Sequence, residues 1–402
     1  MRHSNPSSES VASSGVAAPL APESGSFSPT AAPQHELPRR DYVLLPLLSV
    51  LTVILLFAGT EITTRMIWTA SEHGYCMQFD PVVGPHGKPD CVTTVKIPEA
   101  PAPVAHRFNH CGYRSEASCG PKADGVFRIA LLGSSIAEGY VIPYHQMLGS
   151  EMANTLSQTW PRKVELENLA AEACPPIYSY RHLGEALKLQ PDTVVLILNP
   201  WDLEQDVDPK LMALRDDPRP INHAPEPAIN LNLVQQVQAW AHESRTMLVA
   251  QHYMLQDETA FIKLYLMAGG DHTAFVKCPF SPSWRRRFSG TDVLLGEMAQ
   301  KIHAAGATFL LVAVPERAQV LMLRDRTLPP GVDPYAFTRE LSSMAAKHGI
   351  LFVDGLKAFA GCQDPEKLFY VVDGHPTPLA HKILGEAAAH ELAEAADPAR
   401  HK

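Results

Sequence analysis

Several things are scarce in this chain. Its 402 residues contain only seven cysteines, and none is arranged as C-x-x-C. A disulfide-built scaffold, a zinc ribbon and thioredoxin-like redox chemistry therefore lack their usual signature. Positive charge is also limited. Lys plus Arg number 34 against 43 Asp plus Glu, a formal net charge of -9 with no long basic block to offset it, so nucleic acid is excluded as an expected partner. No internal repeat, metal-ligand spacing or nucleotide fingerprint is visible, so no metal and no cofactor is expected. Gly84-Pro85-His86-Gly87-Lys88 has no preceding strand signal and no hydroxyl residue after Lys88, which separates it from a phosphate loop.

Residues 1–38 are rich in Ser, Ala and Pro, a composition that cannot bury enough apolar surface to offset the entropy of ordering, and they read as a disordered tail. Arg39, Arg40 and Asp41 then give way to the charge-free run Tyr42–Gly59. This is close to the ~20 residues that cross a hydrocarbon core. It lacks the amphipathic stripe of a buried helix, and Phe57-Ala58-Gly59-Thr60 is a poor cleavage site, so residues 39–60 are read as an uncleaved transmembrane signal anchor. The arginine pair on its N-terminal flank favours a cytoplasmic tail and an exported body, although Arg65 weakens the asymmetry. Export would place the cysteines in an oxidising compartment, where Cys76 with Cys91, and Cys111 with Cys119, are near enough in sequence to close small loops. Residues 61–124 read as an extracytoplasmic linker or lead-in segment.

From residue 125 to 395 strand and helix signals alternate. Apolar strand-like runs occur at 127–133, 164–170, 193–198, 308–314 and 350–353, with helix-like stretches between most of them. The fold class expected is α/β: three α/β/α layers around a five-stranded, mainly parallel, flavodoxin-like sheet. The span at about 203–301 is a helical insertion, helix-like from Asn230 to about Met267 and again near 291–303. Residues 396–402 form a tail.

In open parallel sheets the site is built at the carboxyl ends of the strands. After the first strand comes Gly133-Ser134-Ser135-Ile136-Ala137-Glu138-Gly139, a small-residue turn with two hydroxyls. After the last strand and a long loop comes Asp373-Gly374-His375-Pro376. Taken alone, Ser135 could simply cap a helix, and Asp373-Gly374-His375 could be a capped turn. Together they supply the nucleophile, base and carboxylate of serine catalysis.

These blocks resemble the SGNH (GDSL-type) hydrolase superfamily, in particular its membrane-anchored bacterial members linked to acyl transfer. The resemblance covers about residues 109–392. Asn109-His110-Cys111-Gly112-Tyr113-Arg114 is similar to the N-x-x-G-x-R lead-in, and Gly133–Gly139 stands on G-D-S-x-x-x-G with Ser134 in place of the aspartate. Ser135 is thereby the implied nucleophile, with His375 the base and Asp373 its orienter. Their D-x-H spacing, one residue shorter than the usual D-x-x-H, resembles the acetyltransferase-like members. The second block falls on Asn168–Ala173 with Ala173 at the glycine, and the third on Asn199-Pro200-Trp201-Asp202 with Trp201 in place of the asparagine. The implied oxyanion hole is therefore Ser135, Ala173 and Asn199. Ser134, Trp201, Glu316 and Arg317 are candidate substrate contacts.

The resemblance implies a membrane-tethered, extracytoplasmic serine esterase or O-acyltransferase. Its substrate would be an acyl ester, expected to be acetyl, of an envelope or exported glycan. The partners implied are that substrate, the lipid bilayer and a membrane-bound acyltransferase that supplies the acyl group. The alternatives are a catalytically inert scaffold of the same fold, or a lipase or thioesterase.

Overall fold

The computed structural model describes residues 38–172, 174–205, 243–324 and 327–396. The expected tails, the first part of the insertion and Ala173 thus lie wholly or largely outside the described residues. Two compact units separate at 56/57.

Helix α1 (Asp41–Ile67) contains the charge-free run and is long and apolar enough to cross a membrane. It continues beyond Gly59. Thr60, Thr63 and Thr64 return their hydroxyls to carbonyls three or four residues earlier, and Arg65 pairs with Glu61 at 2.7 Å.

The segment after the helix is folded, not a plain linker. Strands β1 (Ser71–His73), β4 (Val92–Lys96) and β5 (Val104–Arg107) form an antiparallel sheet, and β2 (Met77–Asp80) pairs with β3 (Gly84–Gly87). Disulfides Cys76–Cys91 and Cys111–Cys119 fasten this region, where strands of three to five residues bury little apolar surface of their own. Cys174, Cys278 and Cys362 are free thiols.

The larger sheet is entirely parallel, in the order β10 (Leu351–Asp354), β9 (Thr308–Ala313), β8 (Thr193–Leu198), β6 (Phe127–Leu132), β7 (Val164–Asn168). Counted from β6 this is the flavodoxin-like order 2-1-3-4-5. The side-chain alternation of each strand feeds two cores. Ile129 and Leu131 pack with Val195, Ile197, Leu310 and Val312 on one face, beneath helices α3 (Leu148–Thr159) and α12 (Pro378–Ala395). Ala130 and Leu132 pack with Val194, Leu196, Phe309 and Leu311 on the other. Helices α4 (Pro176–Lys188), α8 (Pro282–Ala304) and α10 (Ala336–His348) cover that second face. Both faces being covered explains why the strands read as continuous apolar runs.

Between β8 and β9, the single long helix expected up to Met267 is two helices, α6 (Arg245–Met254) and α7 (Glu258–Ala268). The break is local chemistry: the Asp257 carboxylate accepts from the Ala260 N–H at 2.8 Å and caps α7. Residues 230–242 of that expected helix lie outside the described residues. Helix α8 starts at Pro282, well before the expected 291, because Ser281 caps it with Pro282 at its first position.

Candidate active site

Ser135 opens the short helix α2 (Ser135–Glu138) directly after β6. Gly133 has φ +144, and a Cβ there would stand 2.7 Å from the Ala137 Cβ and 2.9 Å from the Ile197 carbonyl oxygen, so only glycine admits so sharp a turn. The helix ends at Gly139, φ +86, where a Cβ would meet Met147 at 2.9 Å. Two side chains hold this end. The buried Arg114 guanidinium donates to the carbonyls of Glu138, Gly139 and Ile142 at 2.8, 2.6 and 2.7 Å. Asn168 Nδ2 donates to the Ala137 carbonyl at 3.0 Å. The N-x-x-G-x-R lead-in and the second block therefore act as a brace under the nucleophile turn.

Ser135 Oγ lies 2.8 Å from His375 Nε2, and His375 Nδ1 lies 2.7 Å from Asp373 Oδ1. A carboxylate only accepts, so the His375 proton resides on Nδ1 and Nε2 is free to accept from the Ser135 hydroxyl. The same Asp373 oxygen also accepts the His375 backbone N–H at 3.2 Å. One oxygen gripping both ends of the histidine is how a spacing of two residues suffices.

Glu99, between β4 and β5, was not singled out by the sequence. Its side chain is 3% exposed, and its carboxylate accepts the backbone N–H groups of Val371 at 3.1 Å, Val372 at 3.0 Å and Asp373 at 2.8 Å. His252 Nδ1 on α6 lies 2.6 Å from the same carboxylate. Glu99 thus fixes the loop that carries Asp373 and His375. No spacing signal could reveal it, because its partners are main-chain groups some 272 residues away.

Asn199 and Asp202 stand at the end of β8, the neighbour of β6, where the strand order reverses. Asn199 Oδ1 accepts the Asp202 N–H at 3.0 Å, which orients the amide so that Nδ2 is its remaining donor. Asp202 Oδ2 accepts the Asn199 N–H at 2.9 Å. Burial pushes Asp202 up to about 6, against the opposing pull of Ser134, the Asn199 N–H and His375. Among the described residues no hydrogen bond takes up the Ser135 N–H, which leaves it an orphan donor at a helix start.

The other candidates contact groups outside the triad. Trp201 is 51% exposed, its ring 4.2 Å from that of His272. Burial opposes charge on His272, but Glu316 and Glu204 outweigh it and push the imidazole up to about 9. Glu316 accepts the Tyr265 hydroxyl at 2.5 Å and lies 3.5 Å from His272. Arg317 is buried, donating to the Leu255 carbonyl at 2.7 Å and lying over the Phe261 ring at 4.2 Å, which ties the insertion to α9 (Arg317–Met322). Its Nη1 also donates to the Val371 carbonyl at 3.5 Å, which joins it to the loop that carries Asp373 and His375. Ala173 lies outside the described residues. His381 is buried, and its Nδ1 accepts the Leu148 N–H at 3.0 Å, a packing role.

Nucleophile turn, base loop and third block meet at the carboxyl ends of the strands, where the sheet order reverses, the place at which such sheets bind ligands. This is a flavodoxin-like α/β fold. No family model and no curated relative matches the sequence. Among solved structures, the chain is similar to a putative lipolytic protein of the G-D-S-L family from Desulfitobacterium hafniense, with 13% identity and a TM-score of 0.35 over 66% of this chain and 98% of that one. It is similar to a lipase/acylhydrolase from Enterococcus faecalis, with 12% identity and a TM-score of 0.37 over 68% and 98%. An acetylxylan esterase from Geobacillus stearothermophilus gives 14%, 0.34, 66% and 94%. Likenesses at this level assign no chemistry to any residue of this chain.

The raised Asp202 has a sign that can be checked. A carboxyl whose folded value lies above its ordinary 3.8 stabilises the fold fully below about pH 4, and that stability is lost as pH rises through about 6. Thermal unfolding followed from pH 4 to 8 is expected to show this decline, worth about 3 kcal/mol, and Asp202→Asn to flatten it. An identical decline in the variant would exclude Asp202 as its source.

Proposed function

We propose that this chain is a membrane-anchored serine esterase or O-acyltransferase of the SGNH superfamily, acting on short acyl esters of an envelope or exported glycan. The observation that carries this reading is the continuous hydrogen-bonded series Ser135 Oγ to His375 Nε2, and His375 Nδ1 to Asp373 Oδ1, at 2.8 and 2.7 Å. Ser135 attacks the acyl carbonyl while Nε2 takes the hydroxyl proton. The oxyanion forms against the Ser135 N–H and the Asn199 amide, with Ala173 as the further backbone donor. The tetrahedral adduct collapses, His375 returns the proton to the leaving alcohol, and an acyl-Ser135 ester remains. Water or a sugar hydroxyl, deprotonated by the same imidazole, then attacks that ester and frees Ser135.

The short-acyl and glycan parts rest on the D-x-H resemblance. An extracytoplasmic body is supported by the apolar α1 with Arg39 and Arg40 on its N-terminal flank, and by two disulfides, which persist in oxidising compartments.

A fluorophosphonate probe is expected to label the full-length chain in detergent at Ser135, and labelling should vanish in Ser135→Ala. On p-nitrophenyl esters, acetate should exceed palmitate. An unlabelled wild type would favour an inert scaffold, and a long-chain preference a lipase or thioesterase.

A further inference from the structure

The end of α1 does more than leave the apolar run. Glu61 is the first charge after Tyr42–Gly59, so in a bilayer it marks the level at which hydrocarbon gives way to headgroups. Its carboxylate is built into the start of α6. It accepts the Ser244 hydroxyl at 2.8 Å, the Arg245 N–H at 3.0 Å and the Thr246 N–H at 2.9 Å. Arg65 reinforces the joint by donating to the Glu243 carbonyl at 3.1 Å. Two turns further along α6, His252 and Tyr253 lie beside Trp68, which directly follows α1, with ring centroids 4.8 and 6.4 Å away. Helix α6 is therefore held alongside the last turns of α1 at both of its ends.

The outer face of α6 is apolar. Met247, Tyr253 and Met254 are 37%, 64% and 57% exposed, with Ala250 exposed between them, and no residue of the helix is buried. Positions 247, 250 and 254 recur at helical spacing, forming one stripe. The flanking groups suit a membrane surface: Trp68 and Tyr253 carry amphipathic rings of the kind enriched at headgroup level, and Arg65 and Arg245 supply positive charge beside them.

We propose that α6 is a second membrane contact, rising beside α1 from the acyl boundary through the headgroup layer with Met247, Tyr253 and Met254 turned to the lipid. The occupant of this stripe is the lipid bilayer, because its helix is hydrogen-bonded to the residue that marks the membrane face. This rests on α1 spanning the bilayer. The consequence is functional. The opposite side of α6 carries His252, which holds Glu99 and through it the Asp373–His375 loop, so the base of the proposed reaction is referenced to the membrane surface through a single helix.

The test uses the full chain with Cys278→Ser and Cys362→Ser, reconstituted in phosphatidylcholine and phosphatidylglycerol vesicles. A polarity-sensitive nitrobenzoxadiazole label is placed at Met247→Cys, Tyr253→Cys, Leu51→Cys or Val293→Cys in turn. Lipids carrying a nitroxide near the headgroup are expected to lower emission about twofold at 247 and 253 and to leave 293, an exposed position on α8, unchanged. A deep-chain nitroxide should quench 51. If 51 is quenched while 247 and 253 respond only to aqueous iodide, the α6 contact is overturned and the span stands. If 247 is shielded from both quenchers, a second copy or another protein covers the stripe and the lipid assignment fails. If 51 is not quenched, the spanning reading falls, and the α6 contact falls with it.

Discussion

Replacing His375 with alanine is expected to lower turnover of an activated acetyl ester by about 10³- to 10⁶-fold, and replacing Ser135 by a similar factor. The reason is that neither group works alone. The Ser135 hydroxyl is a weak nucleophile until Nε2 accepts its proton, and Nε2 has no bond to make once the hydroxyl is gone. The double variant should therefore be about as slow as either single one, with the residual rate supplied by the oxyanion donors. Asp373→Asn should cost less, about 10²- to 10⁴-fold. In that variant the amide oxygen can still accept the His375 N–H groups, now gripped at 3.2 and 2.7 Å, but the negative charge that stabilises the imidazolium is lost. Steady-state rates on p-nitrophenyl acetate decide the matter. Losses that multiply in the double variant, or a His375→Ala enzyme within about tenfold of wild type, would show that these groups do not form one catalytic unit.

What was legible in the sequence follows from where information is local. The five strands of the parallel sheet were visible because burial on both faces demands uninterrupted apolar runs, and β6, with all six residues buried, is the clearest case. Ser135, Asp373 and His375 were visible because two conspicuous short segments follow strands of one sheet. The region after α1 was not legible as structure. Its strands are three to five residues long, one of them is Gly84-Pro85-His86-Gly87, and no periodicity develops over such lengths. The break between α6 and α7 was hidden because apolar residues continue on both sides of it, and a single aspartate cap decides it. Arg317 looked like a substrate contact because a charged residue ends the fourth strand. Only tertiary structure shows that its guanidinium serves the Leu255 and Val371 carbonyls and the Phe261 ring.

Glu99 is the residue whose removal should do most damage away from the triad. In Glu99→Ala the Val371, Val372 and Asp373 N–H groups and His252 lose a common charged acceptor at once. Hydrogen bonds to a charged group contribute about 1.5–3 kcal/mol each and do not add fully, so a stability loss of about 2–4 kcal/mol is expected. The catalytic effect should be separable from that loss. The carboxylate touches neither Ser135 nor substrate in the proposed reaction. It fixes the turn from which Asp373 and His375 project, and freeing that turn lowers the fraction of molecules in which Nε2 meets Oγ. Measured well below the unfolding temperature, kcat should drop about 10²-fold with KM nearly constant, since a misplacement of about 1 Å is enough for such a loss. Glu99→Gln keeps one acceptor oxygen but turns an amide N–H₂ towards the loop's donors, so it should recover stability in part and kcat less. Equal recovery of both would point to a role in folding only, and an unchanged kcat in the folded Glu99→Ala enzyme would remove Glu99 from the positioning of the base.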